Sequence, residues 1–94
     1  IIHIGAEIGN KTIINSGAIV EHDCRIGAHV HIAPGVTLCG NVVVGDYTFI
    51  GAGATVIEGV NIGSNVTVGA GSVVVRNIPN NVISVGVPSK IISK

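Results

Sequence analysis

Val36-Thr37-Leu38-Cys39-Gly40-Asn41, Val42-Val43-Val44-Gly45-Asp46-Tyr47, Thr48-Phe49-Ile50-Gly51-Ala52-Gly53 and Ala54-Thr55-Val56-Ile57-Glu58-Gly59 follow one another without interruption. Each hexad opens on a small or medium residue, carries a branched aliphatic third and closes on a corner residue. Gly and Asn dominate that last slot because they enter left-handed backbone cheaply.

Working outward, the third-slot aliphatic recurs every six residues from Ile2, Ile8, Ile14, Val20, Ile26 and Ile32 to Ile62, Val68 and Val74. The first slot holds Ala6, Thr12, Ala18, Cys24 and Val30 upstream and Val60, Val66 and Ser72 downstream. Period-two alternation places both slots on one face of a short strand. The corner slot runs from Gly5 to Asn77 and is Gly, Asn or Asp everywhere except Lys11, His29 and Tyr47.

A strand this short cannot bury itself. Three hexads closing an 18-residue triangular coil, stacked on further coils, set each inward Val or Ile on its equivalent below. The expected fold is therefore all-β, a single-stranded parallel β-helix of about four coils over residues 1–77. The period fails at Asn80, and Pro79 cannot donate to a ladder. Residues 78–94 are expected to leave the prism and cap its end.

Composition points the same way. Ile and Val number 16 each, against one Tyr, one Phe and no Trp or Met, which suits a prism too narrow for aromatic rings. The length of 94 residues allows one domain. Five basic and five acidic residues cancel, and only 11% of positions are charged, so no electrostatic footprint for nucleic acid or an anionic membrane exists. The apolar runs are too short to span a bilayer and no signal-peptide pattern opens the chain, so a cytoplasmic protein is expected. The chain starts at Ile1 and contains no Met, which suggests a further segment upstream. Cys24 and Cys39 lack a CxxC spacing and fit small core positions better than a disulfide. Cys24 falls in the inward slot, where its sulfur is expected to be buried and inert rather than nucleophilic.

His22, two residues after Val20, projects outward near a corner. An exposed imidazole accepts protons at neutral pH, and Glu21 or Asp23 is placed to fix its tautomer. The plainer reading is a solvated histidine, with Asp23 in its corner slot for backbone reasons. Gly40 stands 18 residues after His22, one coil further along the same edge. Gly51-Ala52-Gly53-Ala54 and Gly69-Ala70-Gly71-Ser72 are also offset by 18 and stack as a ledge without bulky side chains. Corner geometry explains that pair equally well. His22, His29 and His31 invite a zinc reading, which needs three converging neutral imidazoles; no metal is expected. His3 has no role that the sequence identifies.

The hexads resemble the left-handed parallel β-helix of hexapeptide-repeat acyltransferases. The left hand comes from that resemblance, against the usual right-handed crossover rule. Glu21-His22-Asp23-Cys24 with Ile26-Gly27, His31 and Gly40-Asn41 is similar to the nucleotide-sugar and sialic-acid acetyltransferases. That resemblance implies acetyl-CoA as co-substrate, His22 as general base, Asp23 as the acidic neighbour raising its basicity, and Gly40 as oxyanion donor. It also implies that His31, Ala52 and Ala70 contact acetyl-CoA. Val85-Gly86-Val87-Pro88-Ser89-Lys90 resembles the family's closing signature, which places Lys90 near the coenzyme's phosphates.

The implied reaction is N-acetylation of an amino-sugar nucleotide by direct attack, in a homotrimer with interfacial sites. O-acetylation of sialic acid or another sugar is the alternative within the family. A non-catalytic structural β-helix and a trimeric metalloenzyme of carbonic anhydrase type are the alternatives outside it. A functional flat face would need ranked threonines, yet only Thr37 and Thr55 line up before Val73. No long loop interrupts residues 2–75, so any site is expected to be shallow or shared between subunits.

Overall fold

The computed structural model describes residues 1–93; Lys94, the last residue of the expected cap, lies outside the described residues. The first coil contributes β1 (Glu7–Ile8), β2 (Ile13–Ile14) and β3 (Ile19–Val20). The second contributes β4 (Arg25–Ile26), β5 (His31–Ile32) and β6 (Thr37–Leu38), and the third β7 (Val43–Val44), β8 (Phe49–Ile50) and β9 (Thr55–Val56). The fourth contributes β10 (Asn61–Ile62), β11 (Thr67–Val68) and β12 (Val73–Val74).

Strands one coil apart pair in parallel with a constant offset of 18 residues, as in Glu7↔Arg25, His31↔Phe49 and Thr37↔Thr55. Three faces result. The first is β1-β4-β7-β10, the second includes β2-β5-β8-β11, and the third is β3-β6-β9-β12. The solenoid is a left-handed β-helix of about four turns.

The column of aliphatics predicted from the hexads fills the prism. Val20, Leu38, Val56 and Val74 line the third face, Ile26, Val44 and Ile62 the first, and Ile32, Ile50 and Val68 the second, all buried. Ile2 and Ile8 point along the same column but stay exposed, because no coil of the described residues lies beneath them.

Twelve of the thirteen expected corner positions have left-handed backbone, among them Asp23 (φ 59°), Asn41 (φ 60°) and Asn65 (φ 55°). Asn77 is the exception; its Oδ1 instead accepts the Asn61 N–H at 2.8 Å. His29 and Tyr47 are poor occupants of such corners, at a cost of about 1–2 kcal/mol each. They stack face to face, centroids 4.8 Å apart and planes 2° from parallel, which offsets part of that cost.

Beyond β12 the offset falls from 18 to 16. Ile78 bridges Ile62, and β13 (Ile83–Gly86) pairs with β11 through Thr67↔Ile83. β14 (Ser89–Ser93) then returns antiparallel to β13 on the second face. No helix among the described residues is long and apolar enough to cross a membrane.

Two inward slots hold threonine, and both hydroxyls are satisfied by the next coil. The Thr48 Oγ1 donates to the Gly63 carbonyl at 2.7 Å and accepts the Val66 N–H at 3.2 Å. Thr12 repeats the pair with Gly27 and Val30. Thr48→Val keeps the shape but strands a buried carbonyl and amide, so it is expected to lower unfolding stability by about 1–3 kcal/mol in denaturant titrations.

Candidate active site

The corner between the third and first faces carries His22 and Asp23, and one coil later Gly40 and Asn41. Both acidic and basic side chains are open to solvent, His22 by 51% and Asp23 by 63%. His22 Nδ1 lies 3.3 Å from Asp23 Oδ2. A carboxylate only accepts, so this contact assigns the proton to Nδ1 and leaves the lone pair on Nε2. Glu21, the other carboxylate beside His22, turns instead to His3, with Oε1 3.8 Å from its Nε2.

Gly40 is glycine because the imidazole occupies its side-chain space. A Cβ there would sit 2.5 Å from His22 Nε2 and 2.6 Å from Cε1. The Asn41 N–H donates to the His22 carbonyl at 3.0 Å and fixes the two coils against each other. The Gly40 N–H has no hydrogen-bond acceptor among the described residues. The edge therefore presents a proton acceptor and a free amide donor side by side. Asp23 also borders a shallow cavity of about 410 Å³ shared with Gly5, Glu7, Arg25, Asn41 and Val43.

The other expected site residues lie elsewhere on the prism. His31 is on β5, half-buried on the second face, its ring 5.0 Å from that of Phe49 and tilted by 56°. Ala52 and Ala70 stack on the corner between the second and third faces. Their N–H groups also lack acceptors among the described residues. A Cβ on Gly53 or Gly71 would meet nothing within 4 Å, so the ledge is open; Gly51, by contrast, must lack a side chain because the Ala70 nitrogen would lie 2.6 Å from it. Within one chain the structure unites His22, Asp23 and Gly40, and the whole third face separates them from Ala52 and Ala70.

His29 lies on the remaining corner, between the first and second faces, so the three histidines of the zinc pattern occupy three separate places. No three His, Cys, Asp or Glu side chains converge on a metal position among the described residues.

Two residues escaped the sequence reading. Asn15 donates from Nδ2 to the Nε2 of His31 at 2.8 Å. It lies 16 residues away, a diagonal between coils that the 18-residue count passes over. Arg76 is three coils beyond His22 on the same edge, which the count does reveal.

Cys24 is fully buried beneath this corner, and its thiol donates to the Cys39 carbonyl at 3.1 Å. Desolvation by burial pushes its pKa up. Both cysteines are free. In the folded protein at pH 8, an alkylating reagent is expected to label the half-buried Cys39 first and Cys24 only after denaturant is added, read by mass spectrometry.

The sequence matches the family described as bacterial transferase hexapeptide (six repeats) over residues 5–40 and again over 41–76. Perosamine N-acetyltransferase from Caulobacter crescentus, solved as a histidine-to-asparagine mutant with CoA and GDP-perosamine, is 50% identical with a TM-score of 0.93; the match covers 95% of this chain and 42% of that one. The acetyltransferase domain of PglB from Neisseria gonorrhoeae, solved with acetyl coenzyme A, is 39% identical with a TM-score of 0.93, over 97% of this chain and 45% of that one. Soybean serine acetyltransferase is 35% identical with a TM-score of 0.89, over 94% and 40%. This chain thus spans 40–45% of the length of these relatives. With two tandem matches that coincide with its stacked coils, the chain belongs to the bacterial transferase hexapeptide family.

Proposed function

We propose that this chain is the coenzyme-binding, base-bearing part of an acetyl-CoA-dependent acetyltransferase that N-acetylates an amino-sugar nucleotide. The observation that carries the reading is the His22 imidazole lying over Gly40, with Nδ1 turned to Asp23 and Nε2 unoccupied. Relatives solved with CoA and GDP-perosamine, or with acetyl coenzyme A, support the co-substrate and the acceptor class.

In this mechanism the acceptor amine attacks the thioester carbonyl directly. The new C–N bond forms as the carbonyl π pair moves to oxygen, and the oxyanion is held by the Gly40 N–H. His22 Nε2 takes the proton that the amine loses, while Asp23 keeps Nδ1–H in place and stabilises the imidazolium. Collapse of the tetrahedral intermediate breaks the C–S bond and expels the thiolate of CoA, which takes the proton back from His22. A positioned base contributes about 10²–10⁴ in rate, and one oxyanion donor about 3 kcal/mol.

The coenzyme runs along the solenoid from this corner. Arg76, three coil spacings or about 14 Å from His22, faces a groove of about 420 Å³ with Asn77, Ser89 and Lys90. Two cations and no carboxylate line that groove, which suits the phosphates at the far end of the pantetheine arm. The open ledge of Ala52 and Ala70 offers its amides to the arm itself. Because that ledge and the His22 corner are different edges of one convex prism, a complete site takes one edge from each of two neighbouring copies. A homotrimer closes three such sites. The setting we propose is cytoplasmic, where acetyl-CoA is available.

Thiol release from acetyl-CoA, measured with a nucleotide-linked 4-amino-sugar as acceptor, tests the assignment. His22→Ala is expected to lower kcat about 10²–10⁴-fold with little change in stability; an unchanged rate overturns the base. Gly40→Ala is expected to push the imidazole aside and lower kcat about 10²-fold at unchanged melting temperature.

A further inference from the structure

The side-chain amide of Asn15 has only one orientation that satisfies its surroundings. Its Nδ2 lies 3.2 Å from the Ile32 carbonyl oxygen, which can only accept. The atom facing Ile32 is therefore the nitrogen, since an amide oxygen there would oppose a carbonyl. That same nitrogen is 2.8 Å from His31 Nε2, and its second proton points to the ring. His31 Nε2 must then accept, so the ring proton sits on Nδ1. A proton on Nε2 would face N–H with N–H. Phe49, one coil above, packs against the ring and limits its rotation. His31 Nδ1–H has no acceptor among the described residues.

We infer that Asn15 is a positioning residue for the coenzyme: it holds His31 in the Nδ1–H tautomer, so that the ring presents a hydrogen-bond donor to a carbonyl of the acylated pantetheine arm. The inference rests on the acetyl-CoA reading above. Its chemistry is separate from that of His22. At the corner, a carboxylate beside Nδ1 leaves an imidazole acceptor for a proton; on the second face, an amide donor beside Nε2 leaves an imidazole donor for a carbonyl. Two histidines of one chain are thus set to opposite tasks by the hydrogen-bonding neighbour each is given.

The test reads tautomer and affinity together in the full chain. Nitrogen-15 shifts of the His31 ring at pH 8, assigned by comparison with His31→Gln, are expected to show a protonated Nδ1 and a bare Nε2. Asn15→Asp keeps the size but replaces the donor with acceptors, and is expected to move the proton to Nε2. It is also expected to weaken CoA binding about three- to tenfold by calorimetry, the value of one hydrogen bond. A purely structural asparagine would lower the melting temperature and exchange the ring proton, yet leave CoA binding unchanged. A bare Nδ1 in the wild type, or CoA binding unchanged in Asn15→Asp, overturns the role given to Asn15 alone. A wild-type chain that binds no CoA overturns the acetyl-transfer reading as well, whatever the tautomer.

Discussion

Every feature of this chain depends on one requirement: each inward aliphatic must come to lie on its equivalent after 18 residues. Two-residue strands have no stability of their own, and they persist because Val20, Leu38, Val56 and Val74, with their counterparts on the other faces, form one continuous apolar column. A gain or loss of one residue within a coil would turn the following inward side chains to the surface. The phase that serves the core also assembles the candidate site, since the register that puts Leu38 on Val20 puts Gly40 on His22.

The glycines divide according to what they make room for. Gly53 and Gly71 are needed for left-handed backbone and face open space. Gly40 does not have left-handed backbone; its missing side chain leaves space for an imidazole. The equivalent positions in the other coils hold His22, Glu58 and Arg76, so nothing in the corner geometry itself demands glycine there. That contrast separates a site feature from a turn feature, which the hexad pattern alone leaves mixed.

A triangular prism is convex, and convex surfaces hold ligands only when a second surface meets them. The Ala52–Ala70 ledge and His22 lie on different edges of the same chain, which makes the site that we propose a property of two neighbouring copies. The shallow cavities along the faces fit this arrangement, as does the absence of any inserted loop between the coils. The C-terminal hairpin adds Ser89 and Lys90 to the groove at Arg76, so the change of offset after β12 builds that groove as well as ending the column.

How much was legible follows from the range of each interaction. The inward slots, the left-handed corners at residues as unlike as Lys11, Asp23 and Tyr47, and the stacking of Gly40 on His22 are all multiples of six residues apart, so counting along the sequence finds them. The bond from Asn15 to His31 spans 16 residues and runs diagonally between coils, the choice of Asp23 over Glu21 depends on side-chain rotamers, and the buried ties of Thr12 and Thr48 need donor directions. The order of residues alone sets the stacked coils, their period and the edge that carries His22, because a repeat that buries one face leaves no other register open. The free ring nitrogens of His22 and His31 and the separation of the edges emerge only in the folded coils, because they depend on hydrogen-bond directions and on the shape of the closed triangle.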